Sequence, residues 1–145
     1  MPEPLHLNQT LLLIKPDAVG SHLVGDILSR LEAADFVFTG LVMRRLNRAQ
    51  AEEFYAIHQG KAFFPGLVEF ITSGPLVAVR LDGENVCRRV RDFVGVTDPS
   101  KAAPGTIRAD FGTSVRSNAV HASNPEEDVR RELELFFPEP DDTRR

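Results

Sequence analysis

The sequence predicts a small α/β sandwich of the split βαβ kind, with four antiparallel strands and helices packed on one face. Two observations carry this expectation. Short apolar or β-branched runs alternate with segments of helical period, in the order β-α-β-α-(α)-β-α-β-α. The chain is also 145 residues long, a length that reads as one domain over residues 1–145 with enough apolar surface for a real core.

Each element has its own warrant. Leu11 to Ile14 is an unbroken apolar run stopped by Pro16, the pattern of a fully buried strand, and Lys15 falls at its C-terminal end. Val24, Ile27, Leu28 and Leu31 repeat at helical spacing. Phe36 to Leu46 is rich in aromatic and β-branched residues and reads as a long strand. Asn47 followed by Gln50 resembles a capping box, opening a helix to about Ile57. "FFPGLVEFITSG" suggests a second short helix, broken at Gly74-Pro75. Pro75 to Leu81 is the third strand, and Val86, Val90 and Phe93 mark the next helix. Gly95 to Asn118 has no sustained period and reads as a long loop, anchored by Ile107, Phe111 and Val115. A short strand around Ala119 to Ala122 follows. A last helix then starts with Asn124 as cap, Pro125 in first position and Glu127 in third, burying Val129, Leu133 and Phe136.

Composition narrows the function classes. The formal charge of −4 argues against a general nucleic-acid binder. The charge is uneven: Arg80 to Arg116 holds seven basic residues against five acids, whereas Asn124 to Arg145 holds eight acids against four basic residues. A basic segment in an acidic chain suits a small anion better than a polyanion. No apolar run approaches the roughly 18 residues a membrane helix needs, and the N-terminus lacks a basic start followed by an apolar block. With Cys87 as the one cysteine, no disulfide framework is expected, and a cytoplasmic setting without a membrane partner is the default.

The common phosphate and hydrolase signatures are missing. Gly60-Lys61 is followed by Ala62 and lacks the earlier glycine of a P-loop. No GxGxxG follows a strand, and no GxSxG elbow occurs. His6, His22, His58 and His121 lack metal-ligand spacing.

His121 invites a different reading. It lies three residues before the Asn124 cap, about 10 Å back along a strand, and Glu132 lies about 12 Å along the helix. Folded antiparallel, the two come level. A carboxylate on one ring nitrogen fixes the tautomer and frees the lone pair of the other, which describes an activated nucleophile. Ser123 is near enough to bond either. A core histidine satisfied by a glutamate is the competing reading of the same geometry. Lys15 ends one buried strand, Arg91 precedes the long loop, and the loop itself brings Thr97, Arg108 and Arg116. Cations and loop donors beside a nucleophilic imidazole would bind phosphate and neutralise the charge of its transfer.

At these residues the sequence resembles the nucleoside diphosphate kinases. The likeness runs from about Thr10 to Phe137 and rests on "IKPDAV", "FYAIHQGKAFFPGLVEFITSGP", "GVTDPSKAAPGTIRADFG" and "SNAVHASN", four motifs in the family's order. The resemblance implies a ferredoxin-like sandwich. It also implies transfer of the γ-phosphate of a nucleoside triphosphate to a nucleoside diphosphate in two halves, through phosphohistidine. By position, His121 matches the nucleophile, phosphorylated on Nδ1, and Glu132 the carboxylate that orients it. Phe63 matches the aromatic residue that stacks on the base, and Val115 the apolar contact on its other face, a clamp that tolerates any base. Tyr55, Arg91, Thr97 and Arg108 match the phosphate contacts. Lys15 and Asn118 match the groups that hold the sugar hydroxyls, with Lys15 also near the transferred phosphate. Mg²⁺ is expected with the nucleotide, bridging phosphate oxygens. Nucleoside tri- and diphosphates are the expected small-molecule partners, and the resemblance implies a homo-oligomer, a hexamer rather than a tetramer.

Three positions depart from the family's usual pattern: Ala18 and Ala122, where glycine is more frequent, and Asn124, where many members carry aspartate. If position 122 needed positive φ, its Cβ would strain the backbone. A second hypothesis is a nucleotide-binding or regulatory module that keeps the fold without turnover, and a third is a structural assembly subunit with no nucleotide affinity.

Overall fold

The central strand dictates the layering. In the computed structural model, which describes residues 8–125 and 129–138, β1 (Gln9–Ile14) buries Leu11, Leu12, Leu13 and Ile14 completely. Successive side chains point to opposite faces of a sheet, so a strand buried at every position must be covered on both sides. Burying each of these side chains is worth about 1.5–3 kcal/mol.

The sheet has four strands in the order β2-β3-β1-β4, and every neighbouring pair is antiparallel. β2 is Val37–Arg44, β3 Leu76–Asp82 and β4 Val120–Ala122. The pairing of Leu13 with His121 brings the candidate nucleophile alongside the most buried strand.

Helices cover both faces. On one, Leu12, Ile14, Val77, Val79 and Leu81 pack against Ile27 and Leu31 of α2 (Val24–Ala33) and Val86, Val90 and Val94 of α5 (Val86–Val94). On the other, Leu11, Leu13, Leu76 and Ala78 meet three helices. These are α3 (Arg48–Phe54), through Ala51 and Phe54; α4 (Phe64–Ile71), through Val68 and Ile71; and α7 (Val129–Phe136), through Val129, Leu133 and Phe136. The expectation of helices on one face is corrected here. A helical stripe tells that a helix has a buried side, not which side of the sheet receives it.

The local differences have physical reasons. Pro16 ends the strand but also starts α1 (Pro16–Gly20), because proline fits a first helical turn whose N–H groups have no intrahelical acceptor. The capping box at Asn47 forms with both bonds, Gln50 N to Asn47 Oδ1 at 2.8 Å and Asn47 N to Gln50 Oε1 at 3.0 Å. That helix stops at Phe54 and is followed by a 3₁₀ turn, Ala56–His58. The long loop contains a 3₁₀ turn, Pro99–Lys101, and α6 (Ile107–Phe111), both too short to show a period. Ile107 and Phe111 anchor the loop on the core, but Val115 is exposed and does not. Asn124 and Pro125 precede α7, and Glu127 lies outside the described residues. Edge strand β2 carries a bulge between Phe38 and Gly40. A Cβ on Gly40 would lie 2.6 Å from the ring of Phe137, so only glycine lets that ring approach the strand.

Candidate active site

β4, α3, α5 and the Gly95–Asn118 loop converge on a cleft of about 780 Å³. Lys15, Tyr55, Phe63, Arg91, Thr97, Arg108, Val115, Asn118, His121 and Glu132 all line it. Ser123 lies behind Glu132, fully buried.

The floor of the cleft is a chain of hydrogen bonds. Nε2–H of His121 donates to Oε1 of Glu132 at 3.1 Å, and Oγ of Ser123 donates to the same oxygen at 2.6 Å. Glu132 is 1% exposed. Burial alone would raise its carboxyl pKa. The hydrogen bonds from His121 and Ser123, with the charge of Arg131, outweigh that and hold it below the usual range. An ionised carboxylate on Nε2 leaves the lone pair on Nδ1. Phe54 packs edge-on against the imidazole with ring centroids 4.9 Å apart, which fixes the ring plane. Beneath this pair, Oγ1 of Thr10 donates to Sγ of Cys87, and the thiol donates to the Ser123 carbonyl at 3.3 Å. Cys87 therefore packs α5 against the floor, as its place in that helix suggests.

The cations sit on the other side. Nζ of Lys15 donates to Oδ1 of Asn118 at 2.8 Å and to the Arg116 carbonyl at 2.9 Å, and Nδ2 of Asn118 donates to the Thr97 carbonyl at 3.0 Å. Burial, with the charges of Arg108 and Arg116, lowers the Lys15 pKa to about 8, against the opposing pull of Asp17. Arg108 donates to the carbonyls of Gly95 and Val120 at 2.9 and 2.8 Å, which fixes its guanidinium, while its buried Nε has no hydrogen-bond acceptor among the described residues. Burial and neighbouring Arg91 lower its pKa to about 10. Arg91 donates to the Ala122 carbonyl at 3.3 Å. Like charges gathered this closely repel one another, and a polyanionic ligand would relieve the repulsion.

The mouth is apolar and open. Phe63 is 46% and Val115 57% exposed, with Ile57 beside them. His58 meets Phe63 edge-on at 5.3 Å. Tyr55, by contrast, is buried against Phe54.

Three further residues take part that the sequence does not single out: Phe54, His58 and Asp17. Phe54 had a signal, an aromatic pair closing a capped helix. His58 stands four residues after it, and no spacing in the sequence marks its contact with Phe63. Asp17 lies within "IKPDAV", but no local pattern gives it a role: its Oδ2 accepts from the Ala119 N–H at 3.0 Å, across 102 residues of sequence. Ala119 has φ of +76°, a conformation that costs a Cβ-bearing residue on the order of 1–3 kcal/mol. The departures at Ala18 and Ala122 carry no such strain, since neither has positive φ.

A model of the nucleoside diphosphate kinase family matches residues 8–141. The chain is 48% identical to nucleoside diphosphate kinase 2 of Protochlamydia amoebophila over 131 residues, covering 90% of this chain and 92% of that protein. It is 49% identical to the nucleoside diphosphate kinase of Wolinella succinogenes, covering 90% and 96% of the two chains. Among solved structures it resembles the Aquifex aeolicus nucleoside diphosphate kinase, with TM-score 0.86, 42% identity and coverage of 90% and 94%. It also resembles a halophilic nucleoside diphosphate kinase from Halobacterium salinarum in complex with CDP, with TM-score 0.87, 43% identity and coverage of 90% and 88%.

Proposed function

The chain belongs to the nucleoside diphosphate kinase family, and from that premise we propose that His121 is the nucleophile of its phosphotransferase reaction. The enzyme is a nucleoside-diphosphate kinase. In the proposed first half, Nδ1 of His121 attacks the γ-phosphorus of a nucleoside triphosphate. The bond to the β,γ-bridging oxygen breaks, and the nucleoside diphosphate leaves. In the second half, a terminal phosphate oxygen of an acceptor diphosphate attacks the phosphohistidine, and the P–N bond breaks.

One observation carries this reading: the imidazole is tied through Nε2 to a buried carboxylate inside a cleft lined with cations. Glu132 orients the ring and stabilises the positive charge it gains. Lys15, Arg91 and Arg108 counter the charge on the transferring phosphate, with Tyr55 and Thr97 as further phosphate contacts. Lys15 and Asn118 hold the sugar hydroxyls. Phe63 and Val115 clamp the base by its faces, so base specificity is low.

Mg²⁺ enters as part of the substrate, held by nucleotide phosphates. The donor set fits that role. Among the described residues, no group of three or more His, Cys, Asp or Glu could hold a metal ion, and the one carboxylate lining the cleft already takes two hydrogen bonds.

We also read residues 1–145 as one domain and the chain as a cytoplasmic homo-oligomer, a hexamer rather than a tetramer, without a nucleic-acid or membrane partner. Edge strand β2 exposes Val37, Leu41 and Met43, which supports self-association through an uncovered sheet edge. Among the described residues, no helix is long and apolar enough to cross a membrane. Light scattering measures the assembly.

The decisive experiment exposes the protein to γ-labelled ATP and Mg²⁺, then chases with different nucleoside diphosphates. An acid-labile, alkali-stable label is expected, lost in His121→Ala and discharged by purine and pyrimidine acceptors alike. Nucleotide binding without label would overturn the proposal in favour of a non-catalytic module.

A further inference from the structure

We infer that Asp17 is a positioning residue for the phosphoryl transfer: its carboxylate clamps the turn at Ala119 that aims both His121 and Asn118 into the cleft. This rests on the reading of His121 as nucleophile.

The geometry builds up from one peptide unit to the next. Ala119 is fully buried and held at φ of +76°, a region L-residues rarely occupy. Its neighbours close a three-residue turn, with the Val120 N–H donating to the Asn118 carbonyl at 2.9 Å. Residue types that favour this conformation are glycine and asparagine, and alanine is neither. The surroundings must therefore hold it. Both backbone groups of Ala119 are held by the segment that ends β1. Its N–H donates to Oδ2 of Asp17 at 3.0 Å, and its carbonyl accepts from the Lys15 N–H at 2.9 Å. Asn118 lies on one side of the clamp and His121 two residues beyond the other. The same two-residue step on the strand side carries Lys15, whose Nζ reaches Asn118. One carboxylate thus couples three members of the site.

The other oxygen of Asp17 has no such duty. Oδ1 is shielded from solvent and has no hydrogen-bond partner among the described residues. The Asp17 carboxylate also brings charge into this corner of the site. Lys15 is the cation it acts on. Asp17 on α1, Arg108 on α6 and Arg116 on the loop are the charges that bear on Lys15, and of these Asp17 favours its protonated form, as do the acceptors Asn118 Oδ1 and the Arg116 carbonyl. Tyr55, His58, Arg91, His121 and Glu132 line the same cleft. Asp17 therefore has two separable effects, one on backbone position and one on Lys15 protonation.

Two substitutions divide them. Asp17→Ala removes the acceptor and the charge. Asp17→Asn keeps an oxygen for the Ala119 N–H and removes only the charge. The wild type and both variants are compared by thermal unfolding, by single-turnover phosphorylation with labelled Mg·ATP, and by the pH dependence of kcat/KM. Asp17→Ala is expected to slow phosphoenzyme formation about tenfold or more at a temperature where it remains folded; a 1 Å misplacement can cost on the order of 100-fold. Asp17→Asn is expected to keep most of the neutral-pH rate while its alkaline limb moves to lower pH, because Lys15 loses a negative charge that favours its ammonium form. If Asp17→Ala matches the wild type in rate and pH profile, or loses rate only in step with its folded fraction, the inference is overturned. A wild type that takes no label would instead defeat the nucleophile assignment itself, so the two failures are distinguishable.

Discussion

The floor and the mouth of the cleft are built on opposite principles. At the floor His121, Glu132 and Ser123 form one hydrogen-bonded set, and Lys15 and Asn118 on the cation side form another, with bonds of 2.6 to 3.1 Å, and both are largely shielded from water. At the mouth, Phe63, Val115 and Ile57 present about half their surface to solvent. The contrast follows from what each end must recognise. A transferring phosphoryl group demands fixed charges at fixed distances. A base that is to be accepted whatever its edge pattern demands only a flat apolar surface.

The contrast can be broken most severely at the floor. Glu132→Gln removes the charge that holds the imidazole in its tautomer, and phosphoenzyme formation should slow on the order of 100-fold or more. Stopped single-turnover labelling measures it, and a rate near wild type would mean that the carboxylate is merely structural. At the mouth, Phe63→Ala should raise KM roughly tenfold through lost stacking of about 1–3 kcal/mol. The change should be similar for ADP, GDP, CDP and UDP with kcat little altered, and a loss confined to purines would show that the mouth reads base identity. The pH profile separates the two ends again. Lys15 is protonated below its pKa of about 8 and neutral above it. Since kcat/KM reports the free enzyme, it should fall about tenfold per pH unit above that value, and Lys15→Met should abolish this limb. The smallest effect belongs to Val115→Ala. Exposed and without a core role, it should change stability by less than about 0.5 kcal/mol, readable by denaturant titration, and raise KM less than Phe63→Ala does.

Legibility in the sequence divides along a similar line. The buried strand Leu11–Ile14, the helical stripe of α2 and the capping box at Asn47 could be read because each is a local pattern with a local cause. The approach of Glu132 to His121 could be anticipated because eleven residues separate them and strand and helix rises fix the reach. The two-sided covering of the sheet was partly legible: the unbroken run in β1 demanded it, while the stripes on α3 and α7 could not say which face they would take. α1 was hidden because five residues carry no period and Pro16 marks a strand's end as readily as a helix's start. The turn at Ala119 had no signature at all, since alanine advertises no positive φ and the residues that hold it there are about a hundred positions away.

The thiol under the floor gives the molecule a clock of its own. Cys87 is 2% exposed, bonded to Thr10 and Ser123, and burial raises its pKa, so a thiol reagent has nothing to attack while the strands stay closed. Its rate of alkylation should count the moments when α5 lifts from β1, with no label engineered in. Nucleotide that fastens the layers above it should make that clock run slow.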